Sequence, residues 1–278
     1  MERSPMEMAA VSETLVPGVA LTRPEWLGER IADMGISWGT GNSRVSGTLW
    51  WCMAASSLVD PIATAYAENR PAPDPALERL VCEVRPDGGI ERVFPGPAGT
   101  PGSADGARTA GGHVANRARV AGEPVDDSAC ATGEFVAGIT RSTGGFVAVE
   151  PSADAARGGA GAEPDSAGAR LRETLGRIIP VVAEVSGAGV PSLWAIVADA
   201  IGNRALDAGA PEAGATLAGE VAGQLPVPRF TDVGGRTFVR RVSCCLVYEV
   251  PGCRMCTSCP KRPAAQRLEL LTELATRG

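Results

Sequence analysis

Arg240-Arg241-Val242-Ser243-Cys244-Cys245-Leu246-Val247-Tyr248-Glu249-Val250-Pro251-Gly252-Cys253-Arg254-Met255-Cys256-Thr257-Ser258-Cys259-Pro260 reads as C-C-x10-C-x2-C with one further cysteine at Cys253. Five of the chain's eight cysteines fall in this stretch, which points to metal binding or redox work if the compartment is reducing, where disulfides are uncommon. Thiolates are soft donors suited to iron-sulfur clusters and zinc. A Cys-x2-Cys turn brings two sulfurs to one metal, and its backbone amides can point at them. The adjacent pair Cys244-Cys245 supplies the other sulfurs. Neighbouring side chains diverge unless a turn brings them inward, so the pair fits one mononuclear site awkwardly and a wider two-iron cluster better. Structural zinc usually takes two Cys-x2-4-Cys knuckles, which the adjacent pair does not reproduce. A vicinal disulfide at Cys244-Cys245, or a thioredoxin-like redox pair at Cys256 and Cys259, would each explain half of the motif. The second wants a βαβ setting, and here Pro260 follows at once in a terminal segment.

His113 is the only histidine. One His cannot build a Rieske centre or a Cys2His2 finger, so a metal site must rest on thiolates. Cys52, Cys82 and Cys130 are scattered and read as small buried hydrophobes. Around the motif stand Arg240, Arg241, Arg254, Lys261 and Arg262. Charges and hydrogen bonds near the sulfurs are a protein's main means of setting a cluster's potential, although a solvated basic tail would look the same.

Outward from the motif, Pro263 to Thr276 reads as a helix with Leu268, Leu270, Leu271 and Leu274 as a stripe that docks it onto the body. Leu171, Leu175, Ile178, Ile179, Val182 and Val185 make a second stripe disturbed by Pro180, and Val190 to Ala208 a third helix. Near the other end, Thr22-Arg23-Pro24-Glu25 is a helix start in which Thr22 caps and Pro24 fits the first turn, with Trp26, Leu27, Ile31 and Met34 following. Leu49 to Tyr66 is an apolar helix that Pro61 kinks or divides. Leu80 to Val84 and Ile90 to Phe94 flank Pro86-Asp87-Gly88-Gly89, a hairpin signal that covers a helical layer. The expectation is an α+β fold: a mainly helical single domain with a small antiparallel sheet and a C-terminal iron-sulfur segment. Residues 1–94 and 135–239 form its body. A flexible Gly/Ala/Pro-rich insertion occupies 95–134, a second flexible loop 151–168, a strand Gly145 to Val149, and the cluster segment with its docking helix 240–278.

With 26 Lys and Arg against 32 Asp and Glu, the net charge of −6 disfavours nucleic acid as a partner. The N-terminus lacks the basic and apolar regions of a secretory signal, so a cytoplasmic location is expected. The longest apolar stretches, Leu49–Val59 and Leu193–Ile201, fall short of the roughly 20 residues a membrane span needs. No Ser-His-Asp set, HExxH, phosphate-binding GxxxxGK[ST] or dinucleotide GxGxxG following a strand is visible. Trp50, Trp51, Trp194 and Tyr248 read as core more readily than as ligand contacts.

The cysteine segment resembles the C-terminal signature of the FhuF-type ferric siderophore reductases. Arg240-Arg241 before the paired cysteines, the Pro251-Gly252 turn and Pro260 after the last one carry the resemblance beyond the cysteines themselves. It covers about the last forty residues. The resemblance implies a [2Fe-2S] cluster on Cys244, Cys245, Cys256 and Cys259, with Cys253 a departure from the pattern and an alternate ligand. It also implies one-electron reduction of Fe(III) in a siderophore, with electrons from an external donor. The rival readings are a non-enzymatic [2Fe-2S] carrier or redox sensor, and a zinc-stabilised siderophore-binding protein.

Overall fold

The structure, a computed structural model, describes residues 14–95 and 165–277. The expected insertion beyond Pro95, the strand at Gly145 to Val149, most of the loop at 151–168, His113 and Cys130 lie outside the described residues.

The first helix, α1 (Pro24–Ser37), begins on its proline and buries Leu27, Ile31 and Met34, one face at spacings of four and three. Thr22 does not cap it. Its hydroxyl donates to the Val19 carbonyl at 2.9 Å, within the preceding 3-10 turn, and Arg23 occupies the cap position without a side-chain bond. Helix α2 (Ser43–Ala67) is instead capped by Asn42, whose side chain accepts from the backbone N–H groups of Arg44 and Val45. It is apolar on nearly every side because it runs through the middle of the molecule, against α1, β3 and the three helices that follow. Pro61 sits inside it without dividing it, and Pro180 lies likewise inside α3 (Ala167–Ser186). A proline removes one helical hydrogen bond; the apolar packing on both sides of each proline holds the helix together. Gly187, at φ +75°, ends α3 with its N–H on the Ala183 carbonyl. Two more helices complete the layer, α4 (Val190–Asp207) and α5 (Pro211–Val221), the latter not anticipated from the sequence.

The expected hairpin is present. Strands β2 (Leu80–Val84) and β3 (Ile90–Pro95) pair antiparallel, with β1 (Leu15–Pro17) added on the other edge of β2. Trp50 Nε1 donates to the Gly88 carbonyl at 2.9 Å and Ser57 Oγ to that of Ile90 at 3.0 Å, fastening the sheet over α2. Gly88 has φ +81°, and a Cβ there would stand 2.4 Å from the Arg30 carbonyl oxygen, so this turn requires glycine. A second hairpin, β4 (Phe230–Val233) and β5 (Arg236–Val239), turns through Gly234 and Gly235, both at positive φ.

A single main core joins the helices, the first sheet and the C-terminal segment, since Cys245, Leu246, Val247, Cys256 and Cys259 belong to it. The last helix, α6 (Ala264–Thr276), departs from expectation. Only Leu271 is buried, Leu268 is 55% exposed, and the helix packs against Val233 and Phe238 of the second hairpin in a separate small cluster. Among the described residues no helix is long and apolar enough to cross a membrane.

Helices α2 and α3 approach closely at Gly47, where a Cβ would stand 2.2 Å from that of Ser186; Gly176 on α3 has open space around it. Gly47→Ala is expected to cost about 1–3 kcal/mol through overpacking, whereas Gly176→Ala, at an exposed helical site, should gain about 0.4–1 kcal/mol. Denaturant melts of the two variants check the contrast.

Candidate metal centre

Strand β5 ends at Val239 beside α4, where Gly202 leaves room: a Cβ there would sit 3.4 Å from both Val239 methyl groups. One turn earlier on α4, Asp199 turns its carboxylate toward the chain that follows. Its Oδ1 accepts from the Val242 N–H at 2.9 Å, and its Oδ2 from the Ser243 N–H at 2.9 Å and the Ser243 hydroxyl at 2.5 Å. Arg241 Nε completes the set at 3.4 Å, and both side chains of this ion pair are only 6% exposed. A carboxylate taken out of water needs such compensation. The two residues just before Cys244 are thereby fixed to the helical body.

The chain then reverses. Leu246, φ +61° and ψ +10°, adopts the left-handed conformation and a 3-10 turn follows at Val247–Glu249. Such a conformation costs a non-glycine residue roughly 1–2 kcal/mol, and burial of the Leu246 side chain offsets it. The turn supplies what an adjacent cysteine pair requires, because it turns the Leu246 amide toward the Cys244 sulfur and the Val247 amide toward the Cys245 sulfur. Glu249 accepts from Arg44 of α2 at 3.0 and 3.3 Å, anchoring the far side of the turn. Pro251 and Gly252, at φ +80°, make the next reversal, closed by Cys253 N–H on the Val250 carbonyl at 3.1 Å.

The second pair lies on a knuckle in which the Cys259 N–H donates to the Cys256 carbonyl at 3.2 Å. Arginines brace it from outside: Arg262 donates to the carbonyls of Met255 and Cys256, and Arg267 of α6 to those of Cys259 and Arg262.

The four sulfurs meet two by two. Cys244 Sγ stands 3.9 Å from Cys259 Sγ, and the Cys256 thiol interacts with the Cys245 sulfur. That interaction, helped by the Arg241 charge against the effect of burial, brings the Cys245 thiol down to about 5; the same interaction, with burial, pushes Cys256 up. Burial raises Cys244 to about 11 against the opposing Leu246 amide. Arg241 Nη1 reaches Cys256 Sγ at 3.7 Å. Burial disfavours its charge, but the neighbouring sulfurs and Asp199 outweigh that and raise its pKa above the ordinary arginine value. Among the described residues no three Cys, His, Asp or Glu side chains gather as one metal ion would require. Two pairs of sulfurs suit a cluster in which each of two irons takes two protein thiolates.

Of the remaining cysteines, Cys82 is buried in β2, as expected. Cys52 of α2 packs against the core too, but it also feels the charges of Cys245, Arg241, Asp199 and Cys244, and so borders the site. Cys253 packs at the edge of the core and is disulfide-bonded, which sets it apart from the free thiols. Trp50 and Trp51 are fully buried and Trp194 is 4% exposed, all core as expected. Tyr248 is partly buried, accepts from Lys261 Nζ at 2.7 Å and has that amine 5.3 Å from its ring centre. Among the five cations singled out from sequence, Arg241 alone combines burial with a contact to a cysteine sulfur. Asp199 was missed altogether. Its signal was present as a lone carboxylate inside the apolar run Leu193–Ile201.

The FhuF 2Fe-2S C-terminal domain is the family whose model matches this chain, over residues 241–261. The likeness is confined to this segment, and the matched domain implies a [2Fe-2S] cluster, which the clustered thiols fit. No curated protein and no solved structure matches the chain.

Leu246→Pro, which forces φ to about −65°, is expected to abolish cluster assembly while leaving the helical circular-dichroism signal intact. Iron and sulfide analysis after anaerobic reconstitution checks it.

Proposed function

We propose that this chain is a ferric-siderophore reductase whose [2Fe-2S] cluster is held by Cys244, Cys245, Cys256 and Cys259. The observation that carries the reading is the paired convergence of these four sulfurs within the segment that matches the FhuF 2Fe-2S domain. A [2Fe-2S] cluster bound there supplies one reversible electron. The residues that would hold it reach from the core toward solvent. Cys245, Cys256 and Cys259 are buried and Cys244 is half-buried, so the Cys244 edge is the side a substrate or donor can approach. Lys261 and Tyr248 border that edge.

The substrate is an Fe(III) chelate. Hard oxygen donors hold the small, highly charged ferric ion far better than Fe(II), so adding one electron loosens the complex and no acid, base or nucleophile is required. The electron comes from an external donor, and we place the reaction in the cytoplasm.

Protein purified without oxygen should be brown and give a spin-half EPR signal only after dithionite. Ferric siderophore should then turn over with a reductant, with Fe(II) trapped by a ferrous chelator. Cys259→Ser is expected to lose the colour, and Cys253→Ser to keep it. Stoichiometric zinc with no iron after reconstitution would sink the reading; a cluster that cycles but leaves ferric chelates unreduced would leave only an electron carrier.

A further inference from the structure

We propose that Asp199 and Arg241 form one buried unit that sets the reduction potential of the cluster, with Asp199 the positioning residue and Arg241 the cation it aims at the Cys256 sulfur. The inference rests on the cluster and ligand set proposed above, and not on the nature of the electron acceptor.

Four observations carry it. The pair is nearly excluded from solvent, so its charges are weakly screened; the exposed Arg240 beside it is screened by water. Arg241 touches a sulfur directly, 3.7 Å from Cys256, and also donates to the Ser243 hydroxyl at 3.4 Å. Asp199 fixes that arginine and, through the N–H groups of Val242 and Ser243, the backbone leading into Cys244. The carboxylate comes from α4, in the middle of the protein, so the cation's position is set by the fold and not by the motif alone.

The direction of the effect follows from charge. A [2Fe-2S] centre on four thiolates is already anionic when oxidised and gains one more negative charge on reduction. A buried cation stabilises the reduced state more than the oxidised one and raises the potential; a buried carboxylate lowers it. The pair together is near neutral, so each member offsets the other.

The test is a set of anaerobic redox titrations followed by EPR on the full chain, with iron content and circular dichroism recorded for each variant. Arg241→Gln, which leaves the carboxylate unopposed, is expected to shift the midpoint down. Asp199→Asn, which leaves the arginine unopposed, is expected to shift it up. Arg240→Gln, the same charge change at an exposed neighbour, should shift it much less than Arg241→Gln. Shifts of the same sign for Arg241→Gln and Asp199→Asn, or equal shifts for Arg240→Gln and Arg241→Gln, would overturn the proposal, because a role confined to packing has no charge sign. If either buried variant folds but fails to take up iron, Arg241→Lys decides. A potential near that of the unaltered protein supports the electrostatic role, and a large shift despite the retained charge overturns it. A wholly unfolded Arg241→Lys chain would overturn it as well, showing the pair to be a folding element first.

Discussion

The Asp199 carboxylate, buried under the cysteine segment, is the interaction on which the site depends. Its four bonds join a helix from the middle of the chain to the three residues that precede the paired cysteines. An isolated carboxylate would not tolerate that burial; surrounded by two amides, a hydroxyl and a guanidinium, it becomes an anchor. Removing one partner of such a pair typically costs about 3–5 kcal/mol, a large share of a domain's usual stability of about 5–15 kcal/mol.

From that anchor the rest of the segment is built by short-range devices. A left-handed Leu246 turns two adjacent cysteines to one side, a Pro-Gly turn brings the chain back, and a knuckle presents the second pair. Backbone amides face the sulfurs of the first pair, and arginines 262 and 267 take up carbonyls of the second. Three of the four cysteines thereby join the main hydrophobic core, which couples the arrangement of the sulfurs to the packing of α2 and α4. Cys244 remains nearest the solvent.

Local signals in the sequence were read correctly where local forces decide. The helices opening at Pro24 and Val190, the hairpin around Gly88 and the burial of the tryptophans all follow from periodicity and turn chemistry. They were misread where tertiary contact overrides local preference. Thr22 had another acceptor within reach, and the stripe on α6 met only a small hairpin. Helix α5 went unnoticed because a short element rich in alanine and glycine carries weak periodicity; the Gly234-Gly235 hairpin did carry a turn signal, between strands of only four residues each, and was overlooked.

What the sequence alone determined is the chemistry: soft thiolate donors at a spacing that suits an iron-sulfur cluster, and a single histidine that removes the imidazole-based alternatives. Those are properties of residue type and short separation, which the chain carries whether or not it is folded. What only the tertiary structure decided is the environment. It chose Arg241 among five candidate cations, paired it with a carboxylate some forty residues away, set Cys52 beside the site and left Cys244 as the accessible edge. Burial and long-range electrostatics arise from which helices pack together, and no window of sequence around the motif contains that information.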